Sequence, residues 1–206
     1  MIKGYYFITD SDLSRLGNEG DVRLAVKAGV SVIQYRNKNA SEKELLDEAL
    51  RLRKICDGIN FIVNDRIDIA LACGADGVHL GQDDMPLSCA LKILGKNKII
   101  GVTVHNVEEA REAETGGAGY LAISPIFATS TKKDAGSSCG IGLIREIRKI
   151  SKLPLVAIGG ITLENASEVI KAGAGAICAI SAVVAAADPL VQMKKFQKLF
   201  EWKSTL

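Results

Sequence analysis

Eight short, β-rich apolar runs punctuate the chain: YYFIT (5–9), VIQYR (32–36), FIVND (61–65), GVHLG (77–81), IIGVTV (99–104), YLAISPI (120–126), LVAIGG (155–160) and AICAIS (176–181). They are apolar throughout rather than at every second residue, as expected of parallel strands covered on one face by a barrel interior and on the other by helices. Helical patterns lie between them. The clearest is 41-SEKELLDEALRLRKICDG-58, where Ser41 and Glu44 form a capping box ahead of Leu45, Leu46, Ala49, Leu52, Arg53 and Cys56 at helical spacing. A weaker echo repeats in 28-AGVSVIQ-34, 73-CGADGVHL-80, 116-GGAGYLAI-123 and 172-AGAGAICAI-180, each with a glycine at a helix end just before a strand. Glycine there supplies the left-handed residue that closes a helix, so one junction is reused four times.

Eight βα units in 206 residues predict an α/β fold, a single (β/α)8 TIM barrel with short connections, spanning residues 1–206 as one domain. An open doubly wound sheet is the alternative. It usually has fewer strands and often a G-x-G-x-x-G turn after the first, which YYFITDSDLS lacks.

Charge narrows the function classes. Twenty-six Lys and Arg against 24 Asp and Glu leave a net +2, which offers no global attraction to nucleic acid or anionic membrane and leaves small anionic ligands open. MIKGYYFITD reads as a strand without signal-peptide regions, and no apolar run approaches the roughly 18 to 20 residues of a membrane span, so a cytoplasmic address is expected. Five cysteines (Cys56, Cys73, Cys89, Cys139 and Cys178), without C-x-x-C or zinc spacing, read as reduced thiols; only Cys139 sits in a Gly/Ser-rich loop where a reactive role is conceivable.

In such a barrel the chemistry belongs at the C-terminal strand ends. Those ends carry Gln34, Arg36 and Lys38; Asn64 and Asp65; Gln82, Asp83 and Asp84; Thr103 and His105; Thr129, Thr131, Lys132 and Lys133; Gly159 and Gly160; and Ile180 and Ser181. Asp65 and Asp84 close neighbouring strands and suit a Mg²⁺ shared with a polyphosphate, the alternative being helix caps; Asp83 is expected to face solvent. Q-x-R-x-K places Gln34, Arg36 and Lys38 on one side of an extended segment as an anion clamp. The 129-TSTKKD-134 loop adds hydroxyl and ammonium donors, and the turns after AIGG and AIS offer backbone N–H groups to a monophosphate. His79, inside a strand, reads as a packed core histidine, and His105 as a weaker active-site candidate.

Jointly and in order, QYRNK (34–38), VND (63–65), GADGVHLGQDDMP (74–86), GVTVH (101–105), SPIFATSTKKD (124–134), AIGGIT (157–162) and AISAV (179–183) resemble the thiamine-phosphate synthase family over nearly the whole chain. The resemblance implies a transferase condensing 4-amino-5-hydroxymethyl-2-methylpyrimidine diphosphate with 4-methyl-5-(β-hydroxyethyl)thiazole phosphate to give thiamine phosphate and pyrophosphate. It implies that Asp65 and Asp84 hold Mg²⁺, and that Gln34, Arg36, Lys38, Asn64 and Lys132 contact the pyrimidine diphosphate. Thr103 stands where the family has a serine near the reacting pyrimidine, and Thr129, Thr131, Gly160, Ile180 and Ser181 match the thiazole-phosphate side; Arg36, Lys38, Thr103 and Lys132 carry the catalytic roles. Ser124, Ala128 and Ser130 depart from the family's usual glycine, proline and acid, which bears on closure of that loop more than on the reaction.

Three rival readings are a thiazole tautomerase, a regulatory barrel that binds thiamine phosphate without turnover, and another phosphosugar-type barrel enzyme. The tautomerase needs no diphosphate clamp, the regulatory barrel predicts affinity without Mg²⁺ dependence, and the phosphosugar-type enzyme leaves QYRNK and the aspartate pair idle. The sequence leaves monomer and homodimer equally open.

Overall fold

The computed structural model describes residues 2–129, 131 and 136–201. Its eight strands, β1 (Gly4–Ile8), β2 (Val32–Tyr35), β3 (Asn60–Asn64), β4 (Gly77–Leu80), β5 (Ile99–Val104), β6 (Tyr120–Ile123), β7 (Leu155–Ile158) and β8 (Ala176–Cys178), pair in parallel and in chain order into a closed barrel. Closure is made by β8 on β1, with Gly4 opposite Ala176 and Tyr5 opposite Ile177. Outside lie α1 (Gly17–Lys27), α2 (Glu42–Ile55), α3 (Ile67–Ala72), α4 (Leu87–Leu94), α5 (Val107–Thr115), α6 (Gly140–Ile150), α7 (Leu163–Lys171), α8 (Ser181–Val184) and α9 (Pro189–Lys198). Among the described residues no helix is long and apolar enough to cross a membrane.

The continuous apolar runs are explained by two separate cores. Tyr5 and Phe7 of β1, with Leu121 and Ile123 of β6, point outward into the layer shared with the helices. Tyr6, Ile8, Tyr120 and Ala122 alternate with them and point inward, where Ile2, Val32, Ile62, Val156, Ala176 and Cys178 join them. Both faces of every strand are covered, so alternation of polarity has no use.

Seven of the strands end sooner than their apolar runs, β5 being the exception. After β3 the chain turns at Asp65, a non-glycine residue with φ of 60°, and after β7 it turns at Gly159 and Gly160, with φ of 102° and 62°. Left-handed backbone cannot continue a strand. Beyond β6, Pro125 has no N–H to offer the ladder. The residues shed by the strands are the ones that become rim.

The repeated glycine junction is present as expected. Gly29, Gly74, Gly117 and Gly173 all have positive φ. In each case the residue after the glycine donates its N–H to the carbonyl five residues back, as in Val30 to Ala25, Ala75 to Ala70, Ala118 to Ala113 and Ala174 to Val169. This is the Schellman closure, and it precedes β2, β4, β6 and β8.

The capping box also forms: the Ser41 N–H donates to Glu44 Oε2 at 2.8 Å while the Glu44 N–H donates to Ser41 Oγ at 3.4 Å. Leu45, Ala49, Leu52 and the capping Cys56 are buried beneath it. Ser41→Ala is expected to lower the midpoint of thermal unfolding by about 3 °C. An unchanged midpoint in a circular-dichroism melt would show that the cap is idle.

Candidate active site

The C-terminal ends of the strands open onto a cavity of about 650 Å³. Gln34, Arg36, Lys38, Asn64, Asp65, Asp84, Thr103, Thr129, Thr131, Gly160, Ile180 and Ser181 all line it, joined by Gln82, Asp83 and His105. Lys132, Lys133 and Ser130 lie outside the described residues.

One wall carries the charges. Two reciprocal hydrogen bonds lock the end of β2, Thr9 Oγ1 donating to the Arg36 carbonyl at 2.9 Å and accepting the Arg36 N–H at 2.8 Å. Arg36 and Lys38 thereby face the same space, with Arg36 Nη1 3.9 Å from Asp10 Oδ2 and Lys38 Nζ 3.9 Å from Asp65 Oδ2. Asp10 is buried, and its Oδ1 accepts the N–H groups of Asp12 and Leu13.

Neither Asp65 nor Asp84 caps a helix, since the N-cap positions of α3 and α4 are Arg66 and Pro86. Asp65 is fixed from behind by its N–H, which donates to the His79 carbonyl at 2.8 Å, and Asp84 by accepting the Gly81 N–H at 2.6 Å. Their carboxyls meet. Burial, and then contact with the Asp84 carboxyl, push Asp65 up to about 6 against the pull of Lys38 and Arg36. Among the described residues no group of three or more His, Cys, Asp or Glu could hold a metal. A half-buried pair of carboxylates fits a hard divalent cation that takes its remaining oxygens from phosphate and water. Asp83 is exposed, as expected.

The floor is where sequence reasoning fell short. His79 is buried, as a core residue would be, but its ring faces the cavity, with Nε2 2.8 Å from Thr103 Oγ1 and Nδ1 2.9 Å from the Tyr120 hydroxyl. Tyr6 and Tyr120 complete that floor. The one signal available was the presence of tyrosine, rather than phenylalanine, at inward strand positions. Gly101 makes room for Tyr120: a Cβ there would sit 2.0 Å from the phenol ring.

On the far side, Gly159 and Gly160 pack against the loop after β6 so tightly that Cβ atoms would meet Pro125 Cβ at 2.6 Å and the Ala128 carbonyl at 2.5 Å. Ser124 uses its carbonyl to hold His105 Nδ1 at 2.7 Å, so His105 is tethered at the rim. Cys139 donates to the Pro125 carbonyl at 3.1 Å, and burial pushes its thiol up, the opposite of what a nucleophile needs.

Charged and polar groups gathered at the C-terminal mouth of a parallel barrel define a (β/α)8-barrel enzyme. Comparison with known proteins narrows the class. The sequence profile described as thiamine monophosphate synthase matches residues 5–183, and the chain belongs to that family. It is 52% identical over 193 residues to thiamine-phosphate synthase of Methanosarcina mazei, covering 93% of this chain and 80% of that one. The corresponding protein of Chloroflexus aurantiacus is 46% identical over 197 residues, covering 94% and 91%. The solved structure of thiamine phosphate pyrophosphorylase from Pyrococcus furiosus superposes with a TM-score of 0.89 at 40% identity, covering 97% of this chain and 96% of that one.

Proposed function

We propose that the protein is a transferase of thiamine biosynthesis that joins 4-amino-5-hydroxymethyl-2-methylpyrimidine diphosphate to 4-methyl-5-(β-hydroxyethyl)thiazole phosphate, releasing pyrophosphate and forming thiamine phosphate. The observation that carries this reading is the shared wall of Arg36, Lys38, Asp65 and Asp84, which a tautomerase or a simple phosphate binder would not need.

Gln34 and Asn64 orient the pyrimidine diphosphate, with Arg36, Lys38 and Lys132 on its phosphates. Thr129, Thr131, Gly160, Ile180 and Ser181 take the thiazole phosphate, and Thr103 stands beside the reacting pyrimidine. The C–O bond to the leaving group breaks with its electron pair on pyrophosphate, the aminopyrimidine ring spreads the positive charge, and the thiazole nitrogen lone pair forms the new C–N bond. No protein nucleophile takes part. Fixed positive charge on Arg36 and Lys38 stabilises the anion as it departs, and a walled cavity keeps water from the cation. Mg²⁺ held by Asp65 and Asp84 would supply further charge neutralisation at the diphosphate. Both substrates are small and diffusible, which suits a cytoplasmic barrel with neither nucleic acid nor membrane as partner.

The deciding experiment is a mass-spectrometric assay of the purified protein with both substrates, with and without Mg²⁺. Metal-dependent thiamine phosphate is expected. A thiazole phosphate that is bound or isomerised without being joined would replace this reading with the tautomerase or binding one.

A further inference from the structure

Five side chains from five different strands are strung across the barrel floor. Gln34 Nε2 lies 2.9 Å from the Tyr6 hydroxyl, Tyr6 2.8 Å from the Tyr120 hydroxyl, Tyr120 2.9 Å from His79 Nδ1, and His79 Nε2 2.8 Å from Thr103 Oγ1. Both phenols are buried. A hydroxyl buried in an apolar barrel is costly unless it is bonded, and phenylalanine would pack there without that demand.

Each hydroxyl has one proton, and each nitrogen of a neutral imidazole is either donor or acceptor, so the directions of these bonds are linked. Gln34 donates to Tyr6. The Tyr6 proton then goes to the Tyr120 oxygen, and the Tyr120 proton to His79 Nδ1. That leaves the His79 proton on Nε2, donated to Thr103 Oγ1. Having accepted there, Thr103 turns its own proton to the cavity. Were the Gln34 amide turned over, every proton in the chain would reverse and Thr103 would offer the cavity only a lone pair. Burial raises both phenols well above their ordinary range, so both keep the protons this order requires.

We propose that Tyr6, Tyr120 and His79 are positioning residues forming a proton-ordered chain, set at one end by Gln34, that commits the Thr103 hydroxyl to donate to a ring nitrogen of the bound pyrimidine. The proton order stands on the geometry alone; the identity of the acceptor rests on the reaction proposed above.

The first test is the ¹⁵N NMR spectrum of histidine-labelled protein. The chain has two histidines, and His105→Asn assigns them. A protonated Nε2 and an unprotonated Nδ1 are expected at His79. A proton on Nδ1, whether in the other tautomer or the imidazolium, overturns the proposal. The second test is Tyr120→Phe, which removes the middle link while keeping the ring. It should lower kcat/KM for the pyrimidine diphosphate about tenfold, the loss of one hydrogen bond, and leave KM for the thiazole phosphate within about twofold of wild type. A KM for the thiazole phosphate raised as far as kcat/KM for the pyrimidine diphosphate falls would mark a merely structural tyrosine, and no loss would show that the chain directs nothing. If the variant does not fold, the wild-type spectrum still decides. A wild-type protein that makes no thiamine phosphate would sink the proposed reaction and leave the proton order untouched.

Discussion

Asp65→Asn is expected to lower kcat/KM for the pyrimidine diphosphate by roughly a hundredfold or more, the rate equivalent of losing several kcal/mol of charge stabilisation, while leaving the barrel folded. Asparagine keeps the shape of the side chain and tolerates the left-handed backbone at φ of 60° better than alanine, so the change isolates the charge. Asp84→Asn should act in the same direction, since an amide oxygen can still accept the Gly81 N–H. The stability of the variant supplies an independent check. Burial raises the Asp65 carboxyl above its unfolded value to about 6, so the folded protein holds that proton more tightly. Its stabilising contribution is therefore complete below the unfolded pKa and is lost as pH rises through about 6. Above that pH and without metal, Asp65→Asn should unfold at a temperature no lower than the wild type. Steady-state rates across a Mg²⁺ titration, with melts beside them, read both effects. Wild-type turnover in both variants would dismiss the aspartate pair from the reaction.

Arg36→Met is expected to cost roughly 100-fold to 1000-fold in kcat, the range found when one group stabilising a developing anion is removed. Methionine keeps an unbranched apolar stem and deletes the guanidinium. The loss should fall on kcat more than on KM, because pyrophosphate gains negative charge as the C–O bond breaks. Folding should survive: Asp10 would lose a guanidinium 3.9 Å away but keeps two backbone N–H donors, from Asp12 and Leu13. Arg36→Lys should recover only part of the rate, since an ammonium lacks the planar fork. A variant slowed only at low substrate would show that Arg36 binds the diphosphate without acting on its departure.

The rim was readable in the sequence because it depends on where strands stop, and stops are written in local residues. Asn64-Asp65, Gly81 to Asp84 and Gly159-Gly160 all lie where backbone conformation or an acid interrupts an apolar run, and all reach the cavity. The capping box and the four glycine closures were legible for the same reason: each is made within a few residues of chain. The floor was not. Whether His79 faces helices or barrel interior depends on strand phase, which a wholly apolar run conceals. That its ring lies between the Tyr120 hydroxyl and Thr103 depends on residues 41 and 24 positions away. Nothing beside His79 in the sequence announces either partner.

The four Schellman closures also act as a depth gauge. Counting five residues on from Gly29, Gly74, Gly117 and Gly173 arrives at Gln34, His79, Ala122 and Cys178, and all four line the cavity. Their register partners on the preceding strands, Ile8, Asn64, Thr103 and Ile158, line it too. Because each count begins at the same kind of helix end, every second strand enters the barrel at a matched height, and the bottom of the reaction chamber is levelled by turns at the opposite end of the molecule. A single residue inserted between Gly74 and His79 would turn the imidazole out toward the helices, leaving every group at the mouth in place above a chamber of the wrong depth.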